Sequence, residues 1–266
     1  MNIIVCIKQV LDPEAPPSSF KIDMESNKVL ASLGVPYVIN PFDEQALEAA
    51  LRIKDAKGGK VIAISLGAKL QRDVVRKALS MGADELILLE DEALANGDSW
   101  STAYALAMAI KKFGSFDLIL CGRQAADTDA GQVGSGIAEF LGIPSVTIAR
   151  KIEVLDGKVQ VERVVSDGLE VIEASLPALV TVSNELGEPR YPTIRGIMAA
   201  KKKELTIWKA ADIGVTQDKA GAAGNISKVE KLSQPVRDSK CEMVSGETPE
   251  EAAVNLALRL REAKVL

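Results

Sequence analysis

Between Cys121 and Val146 the chain reads CGRQAADTDAGQVGSGIAEFLGIPSV, an apolar strand end that passes through small residues and two aspartates into a helix. Gly131, Gly134 and Gly136 crowd the helix entry. Small residues let a backbone approach a ligand closely, and the first N–H groups of a helix point at an anion with the helix dipole behind them. Gln132 and Ser135 offer further donors, and Arg123 offers charge. The same residues also describe a glycine-softened turn. Neither the Walker spacing nor GxGxxG is present, so pattern alone leaves a phosphate cradle and a plain turn both open.

Other chemistry-bearing residues carry similar alternatives. Asp127 and Asp129 are metal ligands or acid/base groups on one reading, and solvated loop carboxylates or helix caps on the other. Lys201, Lys202 and Lys203 read as an anion site or, more simply, as a solvated basic turn. Cys6 and Cys121 end apolar strands and read as inert core thiols. Phe42 and Tyr191 lie outside the periodic core, where an aromatic touches a flat ligand, touches a partner, or merely packs. The chain has no histidine, which excludes Ser-His and Cys-His catalysis and the usual histidine metal sites.

The elements that must position these residues alternate. NIIVCIKQV (2–10) is a β-branched apolar run of the kind found in buried parallel strands. Residues 11–35 predict a loop with a short hairpin around Ser26-Asn27. In NPFDEQALEAALRIKDA, Asn40 suits an N-cap, Pro41 the first helical position, and Asp43 the anionic first turn. Strands are predicted at 60–67, 85–90 and 116–122, and helices at 69–81, 98–113 and from about 131 to 141. This alternation predicts an α/β fold with a doubly wound, mostly parallel sheet, in which ligands sit outside the carboxyl ends of strands. Asp156-Gly157 marks a hairpin addition, and 176–182 reads as one more buried strand. Residues 184–203 show no periodic core pattern, and a weak strand follows at 204–208. Residues 214–247 resemble an extended arm. The closing stretch TPEEAAVNLALRLREAKV reads as a helix with Thr248 as N-cap and Pro249 first.

Composition narrows the class. Across 266 residues, apolar types make up 47% and aromatics only 4%, so aliphatic side chains must fill the core. A formal charge of −5 argues against nucleic acid or a membrane surface as partner. No apolar run reaches the ~20 residues of a transmembrane span, and the N-terminus does not read as a signal peptide. Three widely spaced cysteines fit a reducing, cytoplasmic setting.

Several blocks together resemble the electron-transferring flavoprotein beta subunit. They are VCIKQVLD, INPFDEQALEAALRIKD, VIAISLG with ALSMGADELILL, LCGRQAADTDAGQVG, and DGLEVIEASLPALVTV running into EPRYPTIRGIMAAKKK. The resemblance implies an adenine nucleotide alpha hydrolase-like domain over 1–213, including a docking loop at 184–203. It implies that the arm and helix of 214–266 pack on an alpha subunit, which holds most of a redox-active FAD. The implied nucleotide contacts are Cys6, Asn40, Pro41, Phe42, Asp43, Leu66, Gly122, Arg123, Gln124, Ala125, Asp127, Thr128, Asp129, Ala130, Gly131, Gln132 and Val133. The implied dehydrogenase-docking segment is Arg190, Tyr191, Pro192, Thr193, Ile194, Arg195 and Gly196, with Ile194 as its apolar anchor.

The family's simple carriers hold AMP in this site, and its electron-bifurcating members hold a second FAD. Simple carriers commonly have lysine at 123, asparagine at 131 and threonine at 133. Arg123, Gly131 and Val133 resemble the bifurcating group, which points to FAD, with AMP as the alternative. In that version NADH (hence NAD) is the hydride partner, and electrons pass to a flavin dehydrogenase (acyl-CoA, lactate or similar) and to ferredoxin or flavodoxin. The insertion-like EAPPSSF after Asp12 departs from many relatives. A third reading, from a different class, is a non-redox adenine-nucleotide-binding regulatory module of the universal-stress-protein type.

Overall fold

Residues 1–25, 27–234 and 241–266 are described by the computed structural model. The chain divides into two compact units, Met1–Glu230 and Lys231–Leu266.

In the first unit the apolar runs become strands β1 (Asn2–Ile7), β2 (Gln9–Leu11), β3 (Phe20–Asp23), β4 (Lys28–Ala31) and β5 (Tyr37–Ile39), followed by helix α1 (Pro41–Lys57). Next come β6 (Lys60–Gly67), the short helices α2 (Arg72–Val75) and α3 (Lys77–Met81), β7 (Glu85–Glu90), α4 (Ser99–Phe113), β8 (Leu118–Gly122) and α5 (Val133–Leu141). The remainder is β9 (Ser145–Leu155), β10 (Lys158–Val165), β11 (Gly168–Ser175), β12 (Ala178–Val182), α6 (Ile194–Lys202) and β13 (Thr206–Trp208). In the second unit, α7 (Pro249–Glu262) starts as the sequence predicts, with the Thr248 side chain accepting from Glu251 N–H.

Nine strands form one sheet in the order β11-β10-β9-β12-β8-β1-β6-β7-β13. All neighbours from β9 to β13 are parallel, while β10 and β11 run antiparallel beside β9. From β1 the chain builds outward through β6 and β7, then α4 carries it back to lay β8 on the other side of β1. The order therefore reverses between β1 and β8, the kind of place where an open α/β sheet parts its helices and leaves a crevice.

Two apolar layers hold the sheet. One buries Val5, Leu47, Leu51, Ala63 and Val180 under α1 and α3. The other buries Ile4, Ile64, Ala103, Ile110 and Ile137 under α4 and α5. Alternate residues of β1 thus serve opposite layers, and burying each such aliphatic side chain contributes about 1.5–3 kcal/mol. Among the described residues no aromatic belongs to the fully buried set, as the 4% aromatic content anticipates.

Several expectations are corrected. The 2–10 run breaks at Lys8, because β2 leaves the main sheet to pair with β5. The 69–81 helix is two short ones. The hairpin addition at Asp156-Gly157 is a three-stranded extension, because β11 pairs along all of β10. The segment 184–203 contains helix α6: its apolar residues face outward, so no core periodicity betrays it, but the Thr193 side chain accepts from Gly196 N–H and starts it. The basic turn is the end of that helix. Lys203 is not free in solvent, since its Nζ donates to the carbonyls of Ala83 and Asp84. Residues 214–230 belong to the first unit, anchored where Ala222 N–H meets the Ala95 carbonyl and Asp98 accepts from Ile226 and Ser227 N–H. A hairpin does join β3 and β4; Ser26 at its turn lies outside the described residues, as do 235–240 of the expected arm.

Candidate functional site

The crevice between β1 and β8 collects most of the residues singled out above. Cys6 and Cys121 are cross-strand neighbours at the carboxyl ends of the two strands. Both are buried. A thiol–thiol hydrogen bond to Cys6, reinforced by burial, pushes the Cys121 pKa well up, so it stays a thiol. Leu66 and Val133 pack against the same apolar layer.

Two side chains from the start of α1 tie these strand ends together. Asn40 sits at the N-cap position yet makes no capping bond with its side chain. Its Nδ2 donates to the Gln124 carbonyl at 2.8 Å, and its Oδ1 accepts from Ala126 N–H at 3.0 Å. The expectation that Asn40 caps its own helix is thus corrected: the amide clamps the loop after β8. Asp43 accepts from Lys8 N–H at 2.7 Å and from Gly122 N–H at 3.0 Å. Burial raises its pKa to about 7, against the opposing pull of those backbone donors, of Asn40 and of the Lys8 charge. Gly122 is required where it stands, because a Cβ there would lie 2.7 Å from the Phe42 carbonyl carbon and against the Asp43 carboxylate.

Arg123 leaves the strand end and lies over the Phe42 ring, 5.6 Å from its centroid. Its Nε donates to Gln124 Oε1 at 3.1 Å and its Nη1 to Ser183 Oγ at 3.3 Å. Lys8, within the strand end at 6–10, pairs with Asp127 at 2.7 Å. Asp129 accepts from Gln124 Nε2 at 2.8 Å. Asp127 is therefore engaged with Lys8, Asp129 is engaged within the loop, and neither caps α5. Among the described residues no cluster fit to hold a metal ion forms.

The three glycines at the entry divide by role. Gly131 has φ +62° and turns the backbone. Gly134 and Gly136 serve packing: Cβ atoms there would lie 2.6 Å from Thr181 Cγ2 and 2.8 Å from Ala103 Cβ. They let α5 sit close on β12 and α4. No side chain caps α5, as none caps α1, α2 or α3, whereas Asp98, Thr193 and Thr248 cap α4, α6 and α7. Its first-turn N–H groups are left for solvent or a ligand. With the Arg123 backbone carbonyl close to Gly131 and its guanidinium over Phe42, the residues fit a nucleotide that carries phosphate.

The Arg190–Gly196 segment lies elsewhere. Arg190 is bound to Glu48, through its backbone N–H and Nε, and to Asp55 on α1. Beyond this anchor Tyr191 is 90% exposed, Ile194 80% and Met198 61%. Pro192 and Thr193 lead into α6, and Arg195 and Gly196 lie in its first turn.

A doubly wound α/β sheet with its crevice at a switch point defines a ligand-binding class without naming a member. Comparison with known proteins supplies the family. Residues 27–213 match the family model described as the electron transfer flavoprotein domain. The chain is 45% identical to the electron transfer flavoprotein subunit beta of Thermoanaerobacterium thermosaccharolyticum, over all of both chains. It is 43% identical to that subunit of Megasphaera elsdenii, over 96% of this chain and 95% of the relative. The subunit CarD of a caffeyl-CoA reductase–Etf complex, from Acetobacterium woodii, is 41% identical over all of both chains. The chain belongs to the electron transfer flavoprotein family, as a beta subunit. That membership implies a flavin- or AMP-binding subunit, an alpha-subunit partner and service to dehydrogenases. No helix among the described residues is long and apolar enough to cross a membrane.

Proposed function

We propose that the crevice between β1 and β8 holds a second FAD and that the chain acts in flavin-based electron bifurcation. The observation that carries this reading is Arg123 laid over Phe42 at the end of β8, in the segment that leads into the uncapped α5. A guanidinium stacked at a strand end presents a planar, permanently charged donor set to a flat, electron-accepting ring. The α5 start, widened by Gly131 and lacking polar side chains at 131 and 133, suits a diphosphate better than a terminal monophosphate. FAD bound here supplies hydride acceptance and one-electron transfer; the chain contributes binding, orientation and charge. Asn40 and Asp43 hold the two strand ends in register, and Arg123 favours negative charge on the ligand.

On this reading the other partners are NADH, an alpha subunit on which 231–266 packs, and ferredoxin or flavodoxin. A cytoplasmic setting follows. The exposed Tyr191–Ile194–Met198 stripe, held rigid by the Arg190 anchor, is the docking face for a flavin dehydrogenase. The relative from Acetobacterium woodii, whose name couples it to caffeyl-CoA reductase, supports an acyl-CoA-type partner. The alternative is a simple AMP-holding carrier; the universal-stress-protein-type reading gives way to the family match. The test is anaerobic reduction of the alpha–beta complex by NADH, with and without Arg123→Ala. Slower NADH-driven bleaching of flavin absorbance in the variant supports the proposal. An unchanged rate removes Arg123 from that role.

A further inference from the structure

Arg123 makes no direct ion pair among the described residues, although two carboxylates stand close by and its charge is felt at Glu185. Each reaches it through one neutral side chain. On one side Asp129 accepts from Gln124 Nε2, and Gln124 Oε1 accepts from Arg123 Nε. On the other side Glu185 accepts from Ser183 Oγ–H, and Ser183 Oγ accepts from Arg123 Nη1. The order is carboxylate, amide, guanidinium, hydroxyl, carboxylate.

The second arm has a specific logic. Ser183 is fully buried, and a hydroxyl owns one hydrogen with two lone pairs. Its side chain also lies 3.3 Å from Asn184 Oδ1, but the Glu185 carboxylate is nearer and charged, and therefore takes the hydrogen. The Ser183 hydrogen bond, helped by a backbone N–H, keeps Glu185 below the usual carboxylate range, so it remains ionised. With its hydrogen committed, Ser183 presents only lone pairs toward Arg123. A guanidinium bound this way is held in place without a direct ion pair, so its remaining N–H donors stay open to a ligand while Glu185 still feels its charge.

We infer that Ser183 and Glu185 form a positioning pair that fixes Arg123 over Phe42 for the bound nucleotide. The inference rests on the crevice being the nucleotide site, as proposed above. Neither residue was among the contacts the family resemblance implies. Both lie where the chain leaves β12, next to the end of β8.

The test is a double-mutant cycle on the alpha–beta complex, stripped of nucleotide and titrated with FAD and with AMP by calorimetry. Ser183→Ala and Glu185→Ala should each weaken binding on the order of fivefold. Neither should weaken it further in an Arg123→Ala background, and Glu185→Gln, whose amide oxygen still accepts from Ser183, should recover most of the loss. Unchanged affinity, or equal losses with and without Arg123, overturns the inference. Failure of the nucleotide-site reading looks different, because the wild-type complex then binds neither compound. In that case the 15N Nε–H resonance of Arg123, assigned by its absence in Arg123→Lys, still decides. It should broaden or collapse toward the solvent-averaged position in Ser183→Ala and Glu185→Ala, and an unmoved signal overturns the inference.

Discussion

Replacing Asp43 by asparagine should change how stability depends on pH, and the sign is set by burial. Asp43 titrates near pH 7 in the folded chain and near 3.9 when unfolded. Between those values the native state holds a proton that the unfolded state has released, so stability falls as pH rises. The stabilisation from the protonated form is complete below the unfolded pKa and is lost as pH passes through about 7. Linkage across the two titrations gives a loss of about 2.5 kcal/mol between pH 5 and pH 8. Asparagine does not titrate, so urea unfolding of wild type and Asp43→Asn at equal complex concentration should show this as a pH-dependent gap. The gap should shrink or reverse in favour of the variant by about that amount as pH rises. The competing force is visible in the structure, since Lys8 and Gly122 N–H both donate to the side chain and favour carboxylate. A gap that stays flat, or that widens in favour of wild type toward pH 8, means the two donors outweigh desolvation, and the reasoning fails.

Other perturbations probe the same frame. Gly122→Ala forces the chain against Phe42 backbone and the Asp43 carboxylate; it should cost about 1–3 kcal/mol of stability, measured by urea unfolding, together with nucleotide affinity. Asn40→Ala strands the Gln124 carbonyl and Ala126 N–H; retained nucleotide should drop while α1 keeps its helicity by circular dichroism, because Asn40 does not cap it. Ile194→Ala removes an exposed side chain with nothing to collapse. It should leave the melting temperature within a degree or two and slow electron transfer to the partner dehydrogenase in stopped-flow mixing.

Much of the frame was readable because the chain's local signals agree with its fold. Strands β1, β6, β7, β8 and β12 are largely aliphatic runs, and α1 and α4 carry a proline or a cap in place. The switch point follows from their order. Side-chain engagement was less legible. Asn40 has the type and position of a cap, and only tertiary geometry shows its amide spent on the loop after β8. Gly134 and Gly136 look like part of a phosphate cradle, and packing on Thr181 and Ala103 explains them instead. Helix α6 hid because its apolar residues face outward, which reverses the usual burial pattern. Lys8 offered one signal, a charged residue ending an apolar run. Ser183 and Glu185 offered none, since their relation to Arg123 arises only where β8 and β12 pair.

What the crevice between β1 and β8 holds is measured directly by counting released nucleotides. The purified alpha–beta complex, denatured with acid and analysed by chromatography, should release two FAD per heterodimer and no AMP. One FAD with one AMP would contradict the proposal of a second flavin beside Arg123.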